Sequence, residues 1–120
     1  MKLNEIHSDE RGKISLLTED MKLNEITLFH TNAGYCRGGC LHEINNEYTT
    51  VIEGEVIYNV DGQFYPMKGG DSFVINKGLP HYFISITDSI VIEYGATPEE
   101  KKNKHPPYRQ IVDNFNKKKM

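Results

Sequence analysis

The chain has 120 residues and a mass of 13.8 kDa, the size of one ordinary domain. With 38% hydrophobic residues, 26% charged residues and a formal net charge of -3, the composition is globular and excludes disordered and fibrous classes. The pI near 5.9 excludes a global basic field for nucleic acid, and no apolar run reaches the ~20 residues of a membrane span.

The opening stretch, MKLNEIHSDE, lacks the apolar core of a secretory signal, so a cytoplasmic location is expected. MKLNEI recurs at 21–26; a single second copy is no repeat array, and no function is read from it. Between Lys13 and Tyr94 the runs KISLL, EITLFH, YTTVIEG, EVIYNV, QFYPM, DSFVI, HYFISI and SIVIEYG predict short strands, rich in Val, Ile, Tyr, Phe and Thr. Asp61-Gly62 predicts a two-residue hairpin turn, and Gly69-Gly70 and Asn76-Lys77-Gly78 predict further turns. No segment before residue 97 has a sustained helical period. The expectation is an all-β barrel or sandwich over about 12–95, followed by a basic tail at about 97–120, in one domain spanning 1–120.

The tail holds seven Lys/Arg against one acid, Asp113, in residues 101–120, and reads as a solvated chain end, with an anion-binding role as the alternative. One short helix is predicted at 108–116. His105-Pro106-Pro107 is expected to be an extended strap that is not helical before Tyr108. His30 and His105 read as packing residues. The tyrosines Tyr35, Tyr48, Tyr58, Tyr65, Tyr82 and Tyr94 offer candidate acids, most of them packing at barrel mouths, with Tyr82 pointing away from the lumen.

The chemistry concentrates in GYCRGGCLHEINNEYTTVIEG, residues 34–54. Cys36 and Cys40 are too few for a disulfide scaffold. Cys40 and His42, two apart, would share one face of a strand; a turn at Asn45-Asn46 would reset the alternation and return Glu47 to them. His81 ends NKGLPH. Cys40, His42, Glu47 and His81 form an acceptable first shell for Zn²⁺, with Fe²⁺ or Ni²⁺ as alternatives, and no organic cofactor is indicated.

Spacing in this region resembles the two signature motifs of the cupin superfamily, small double-stranded β-helix (jelly-roll) barrels. Gly34, Cys40, His42, Glu47 and Gly54 fall at the positions of the first motif, with Cys40 where its first His is expected. Gly70, Asn76, Gly78, His81 and Ser85 fall at those of the second, with Asn76 for Pro and Ser85 for Asn.

Within cupins, D-E-R-G at 9–12 and R-G-G-C-L-H at 37–42 are similar to stretches of the epimerases and ketoisomerases of nucleotide-linked 4-keto-6-deoxyhexoses. The run R-G-G-C-L-H-E-I-N-N-E also resembles the metal-bearing cupin domain of capsular-polysaccharide epimerases. The resemblance implies an epimerase or ketoisomerase of surface-glycan biosynthesis and a homodimer with a nucleotide-sugar substrate bound through Arg11 and Arg37; from charge and hydropathy, neither nucleic acid nor membrane is expected as a partner. Cys40 stands where those enzymes keep their proton-abstracting His. Either Cys40 is a metal ligand and another group, best His42, is the base, or the relatives' activity is altered. A non-catalytic ligand-binding module and a metal-dependent oxygenase are the alternatives.

Overall fold

The structure, a computed structural model, describes residues 4–16 and 25–118. Leu17 of the KISLL run, residues 1–3 and 21–24 of the two MKLNEI copies, and Lys119 of the basic tail lie outside the described residues. The strands are β1 (Asn4–Asp9), β2 (Gly12–Leu16), β3 (Ile26–Thr31), β4 (Cys36–Cys40), β5 (Glu47–Glu53), β6 (Glu55–Val60), β7 (Gln63–Lys68), β8 (Ser72–Ile75), β9 (His81–Ser85) and β10 (Ser89–Tyr94). A 3₁₀ turn (Glu100–Lys102) and a helix, α1 (Pro106–Lys117), follow.

Two antiparallel sheets, ordered β1-β2-β3-β10-β5-β8 and β4-β9-β6-β7, make the expected jelly-roll barrel. Between them Val51, Val56, Tyr58, Val60, Met67, Ile75, Phe83 and Val91 form one buried cluster. Each such side chain contributes ~1.5–3 kcal/mol by leaving water. Tyr58 belongs to this core, its ring 5.0 Å from Phe83 and 5.2 Å from Phe73, so it serves packing and not proton transfer to a ligand. The hairpin at Asp61-Gly62 forms as the sequence predicts, with φ of 49° and 87° at the two central residues.

Two strands were not signalled by apolar runs. β1, NEIHSD, is polar and is held as an edge strand by its ladder to β2. β4, CRGGC, is rich in glycine, which ordinarily weakens strands, yet it ladders with β9 and is covered by α1. The same-face argument for Cys40 and His42 fails for this reason. β4 ends at Cys40, after a register shift at Gly38/Cys40, so no continuous strand carries both residues.

The helix also begins earlier than the sequence suggests. His105 is its N-cap and Pro106 opens it, because proline's fixed φ and missing N–H suit a first helical turn, whose N–H groups have no partner in the helix. Its apolar stripe, Tyr108, Val112 and Phe115, packs on Cys36, Tyr82 and Ile84 outside the smaller sheet. Asn116 pins it, accepting from the Cys36 N–H and donating to the Cys36 carbonyl, both at 2.8 Å. Tyr82 therefore faces the helix, 5.2 Å from the Tyr108 ring, in accord with the expected alternation.

Candidate metal centre and ligand cavity

Beyond β4 the chain runs through a loop to Glu47, and the Glu100 carboxylate holds that loop in place. It accepts from the N–H groups of Ile44 (2.8 Å), Asn45 (2.7 Å) and Thr97 (2.8 Å) and from the Asn45 amide (2.8 Å). Burial alone would raise its pKa, but these donors outweigh burial and bring it down to about 2. The loop is also tied to the turn before His81: Gly78 N–H donates to the His42 carbonyl at 2.7 Å, and Lys77 N–H to Asn46 Oδ1 at 2.8 Å. The two histidines are thus set by one bonded unit.

His42 Nδ1 lies 3.1 Å from the Glu100 carbonyl, and His81 Nδ1 lies 3.1 Å from the Leu79 carbonyl. A carbonyl oxygen can only accept, so each Nδ1 carries its proton and each Nε2 of the neutral ring carries a lone pair. Both Nε2 atoms aim at one oxygen, Glu47 Oε1, at 3.3 and 3.2 Å. Two lone pairs converging on a carboxylate repel unless a proton or a cation stands among them.

The three ligand atoms lie within 4.8 Å of one another, and all three side chains are buried. Two imidazoles fixed by backbone acceptors, with one carboxylate, are a donor set of catalytic zinc and non-haem iron sites. The residues therefore fit a divalent metal.

The carboxylate's other oxygen is taken by a residue that sequence reading missed. Lys101 Nζ lies 3.2 Å from Glu47 Oε2, 3.0 Å from Thr27 Oγ1 and 3.8 Å from Glu93 Oε1. Burial would deprotonate this lysine, but Glu47 and Glu93 outweigh it and keep it an ammonium. Glu47 in turn is held well below the carboxylate range: burial opposes its charge, but Lys101 and the two histidines prevail. Glu93 also accepts from Tyr58 OH at 2.7 Å, and burial together with Glu47 raises its pKa. One signal could have found Glu93, a charge at the inward position of β10, in phase with buried Val91. Lys101 had no such signal within its basic run.

The imidazoles face a cavity of about 440 Å³ that Arg11, Arg37, Cys40 and Lys101 also line. Glu47 lies off its wall. Arg11 forks onto Asp9 (Nε to Oδ2 3.0 Å, NH2 to Oδ2 2.6 Å), so the D-E-R-G stretch builds an ion pair across the β1–β2 turn. Arg37 is only 2% exposed; it donates to Thr31 Oγ1 at 2.8 Å and the His30 carbonyl at 3.2 Å, its guanidinium 5.6 Å from the Phe29 ring centroid. Burial, and Arg11 nearby, pull its pKa down to about 10.

Cys40 shares this cavity, but its sulfur is not one of the three clustered ligand atoms. Burial raises the Cys40 thiol pKa, with Lys104 and Lys101 pulling the other way. His7 is a second residue that sequence reading passed over. It lines the cavity with Nε2 2.9 Å from Asp9 Oδ2, and since a carboxylate accepts, the neutral ring would keep its lone pair on Nδ1. His30 contributes only its carbonyl here, and the His105 ring packs on Tyr108 at 5.1 Å.

Fold and site together define a small jelly-roll barrel with two histidines and a glutamate gathered beside an open cavity. The family model described as Cupin domain matches residues 37–94, just under half of the chain. The HTH-type transcriptional regulator PuuR of Escherichia coli (strain K12) is 35% identical over 57 residues, 48% of this chain and 31% of PuuR. The chain thus spans less than a third of that relative's length. KdgF from Halomonas sp. superposes with a TM-score of 0.68 at 16% identity over 78% of this chain and 84% of KdgF. The capsular polysaccharide assembling protein CapF from Staphylococcus aureus superposes with 0.69 at 15% identity, over 87% of this chain and 32% of CapF. At these identities both structures show the fold alone. Among the described residues no helix is long and apolar enough to cross a membrane.

Proposed function

We propose that the chain is a metal-dependent isomerase or epimerase of a small anionic keto-sugar, with a nucleotide-linked 4-keto-6-deoxyhexose as the substrate class. The observation that carries this reading is the convergence of the His42 and His81 lone pairs on Glu47 beside a cavity whose wall is rich in Arg and Lys.

A divalent metal held by His42, Glu47 and His81 would polarise a carbonyl oxygen. Lys101 keeps Glu47 ionised, and Arg37 offers a guanidinium to the ligand's negative oxygens. With His42 engaged as a ligand, the base is assigned to His7, whose ring Asp9 orients through Nε2. Its Nδ1 takes the proton from the carbon beside the ketone and returns it, leaving an enediolate whose charge the cavity's cations offset.

The test is proton exchange. Incubation with a nucleotide-linked 4-keto-6-deoxyhexose in D₂O should place deuterium beside the ketone, and His7→Gln should abolish this while the protein still binds nucleotide. Stabilisation by dTDP or UDP but not by free sugars supports the substrate class. No exchange with any such sugar removes the reading. A second reading, a ligand-sensing module without catalysis, is favoured by the likeness to PuuR; ligand-induced stabilisation with no exchange would support it.

A further inference from the structure

The stretch after β10 carries Lys101, Lys102, Lys104 and Arg109, and from composition alone it reads as a solvated end, with anion binding as the alternative. The structure folds it back along β4 instead. Lys104 makes a β-bridge with Cys40, His105 N–H donates to the Gly39 carbonyl at 2.8 Å, and Arg109 NH1 donates to the Gly38 carbonyl at 2.9 Å. These contacts bring all four cations to the wall of the cavity that Arg11 and Arg37 also line.

Three of these six cations have carboxylate partners: Arg11 has Asp9, Arg109 has Asp113, and Lys101 has Glu47 and Glu93. Among the described residues Arg37, Lys102 and Lys104 have none within ion-pair distance. Arg37 is the informative case. It is 2% exposed and donates to neutral acceptors, Thr31 Oγ1 and the His30 carbonyl. Asp9 and Glu93 act on this cation only from beyond ion-pair distance, so its burial is costly, and a ligand's anionic oxygens in contact with it would reduce that cost.

We propose that the C-terminal segment is one wall of an oxyanion subsite, in which a phosphate or carboxylate of the ligand lies against Arg37 and Lys102 and Lys104 supply further positive charge. The guanidinium fork suits paired oxygens, and the two ammonium groups act as point charges. The subsite deepens the reading of an anionic substrate given above and rests on it. It also accounts for part of the uneven charge of the sequence, since Lys101, Lys102, Lys104 and Arg109 are placed at the cavity.

The test titrates inorganic pyrophosphate and, separately, succinate into the full chain as purified, by calorimetry, for the wild type and for K102Q/K104Q and R37K. Binding of either anion should weaken several-fold in K102Q/K104Q and about tenfold in R37K, where the fork is lost. Salt should weaken wild-type binding more steeply than that of the double variant. Lys102 and Lys104 are exposed, so the double variant should keep the wild-type melting temperature. Preference for pyrophosphate or for succinate identifies which oxyanion the ligand carries. Equal affinity in K102Q/K104Q, or no binding of either anion at about 10 mM, overturns the subsite. Lysine-dependent anion binding without any substrate proton exchange supports the subsite and removes the isomerase reading. Exchange that is indifferent to K102Q/K104Q does the reverse.

Discussion

Lys101 reaches from the 3₁₀ turn into the barrel and sets its ammonium 3.2 Å from Glu47 Oε2, on the far side of the carboxylate from the two histidines. Both side chains are largely withdrawn from water, at 16% and 1% exposure. Removing one partner of such a pair leaves a buried charge uncompensated and costs about 3–5 kcal/mol. Lys101→Met, which keeps most of the aliphatic stem, should therefore lower unfolding stability by about that much when measured in chelator. Added Zn²⁺ gives Glu47 another cation, so the loss should shrink. Denaturant unfolding under the two conditions checks this; an equal loss in both would show that Lys101 does not act through Glu47.

Glu100 ties the loop after β4 to the C-terminal segment with a carboxylate whose pKa is about 2 rather than the usual 4.5. A depressed acid stabilises the fold fully above its unfolded pKa and loses that contribution as pH falls toward the folded value. Stability should thus decline between about pH 4.5 and about pH 2 in the wild type. Glu100→Gln should flatten that part of the profile and cost about 2 kcal/mol at neutral pH, from weakened bonds to a charged acceptor. Unfolding midpoints across this range, compared between the two proteins, decide it.

What the sequence makes legible follows from what local pattern can encode. Val56, Tyr58 and Val60 alternate along β6, and Asp61-Gly62 needs positive φ at two successive residues, so that hairpin is written locally. His42, Glu47 and His81 are readable through motif spacing. The contacts that complete the site are not local: Lys101 meets Glu47 across 54 positions, and Asn116 meets Cys36 across 80. No periodicity reports such pairings. β4 hides for a related reason, because its glycines are there for close approach and not for strand propensity.

Gly39 shows that approach. Its φ is +84°, and a Cβ there would lie 2.6 Å from Arg109 Cα. Both the conformation and the space demand glycine, so Gly39→Ala should push α1 off β4 and cost about 1–3 kcal/mol or more. The displaced segment carries the Lys104 and Arg109 contacts, so protease cleavage after residue 100 should also quicken. Unchanged stability together with unchanged cleavage would mean that the helix is not docked through this glycine.

The metal site gives the pH dependence with the clearest sign. Binding requires both Nε2 lone pairs. Burial lowers the His42 pKa, but the bond and charge of Glu47 outweigh it and place it above the usual 6.5, so in the metal-free protein a proton competes from above that value. Affinity for Zn²⁺ should fall by up to about tenfold per pH unit for each competing proton as pH drops from about 7 to about 5. Glu47→Gln and His81→Ala should lose the metal, and chelation should lower the wild-type melting temperature. Cys40→Ser should keep the stoichiometry, because the Cys40 sulfur is not among the three atoms gathered within 4.8 Å. Elemental analysis of these variants, competition titrations at several pH values and a melting curve in chelator test these outcomes. Metal content that ignores both pH and His81→Ala would rule the site out, and loss on Cys40→Ser would add the thiolate to the ligand set.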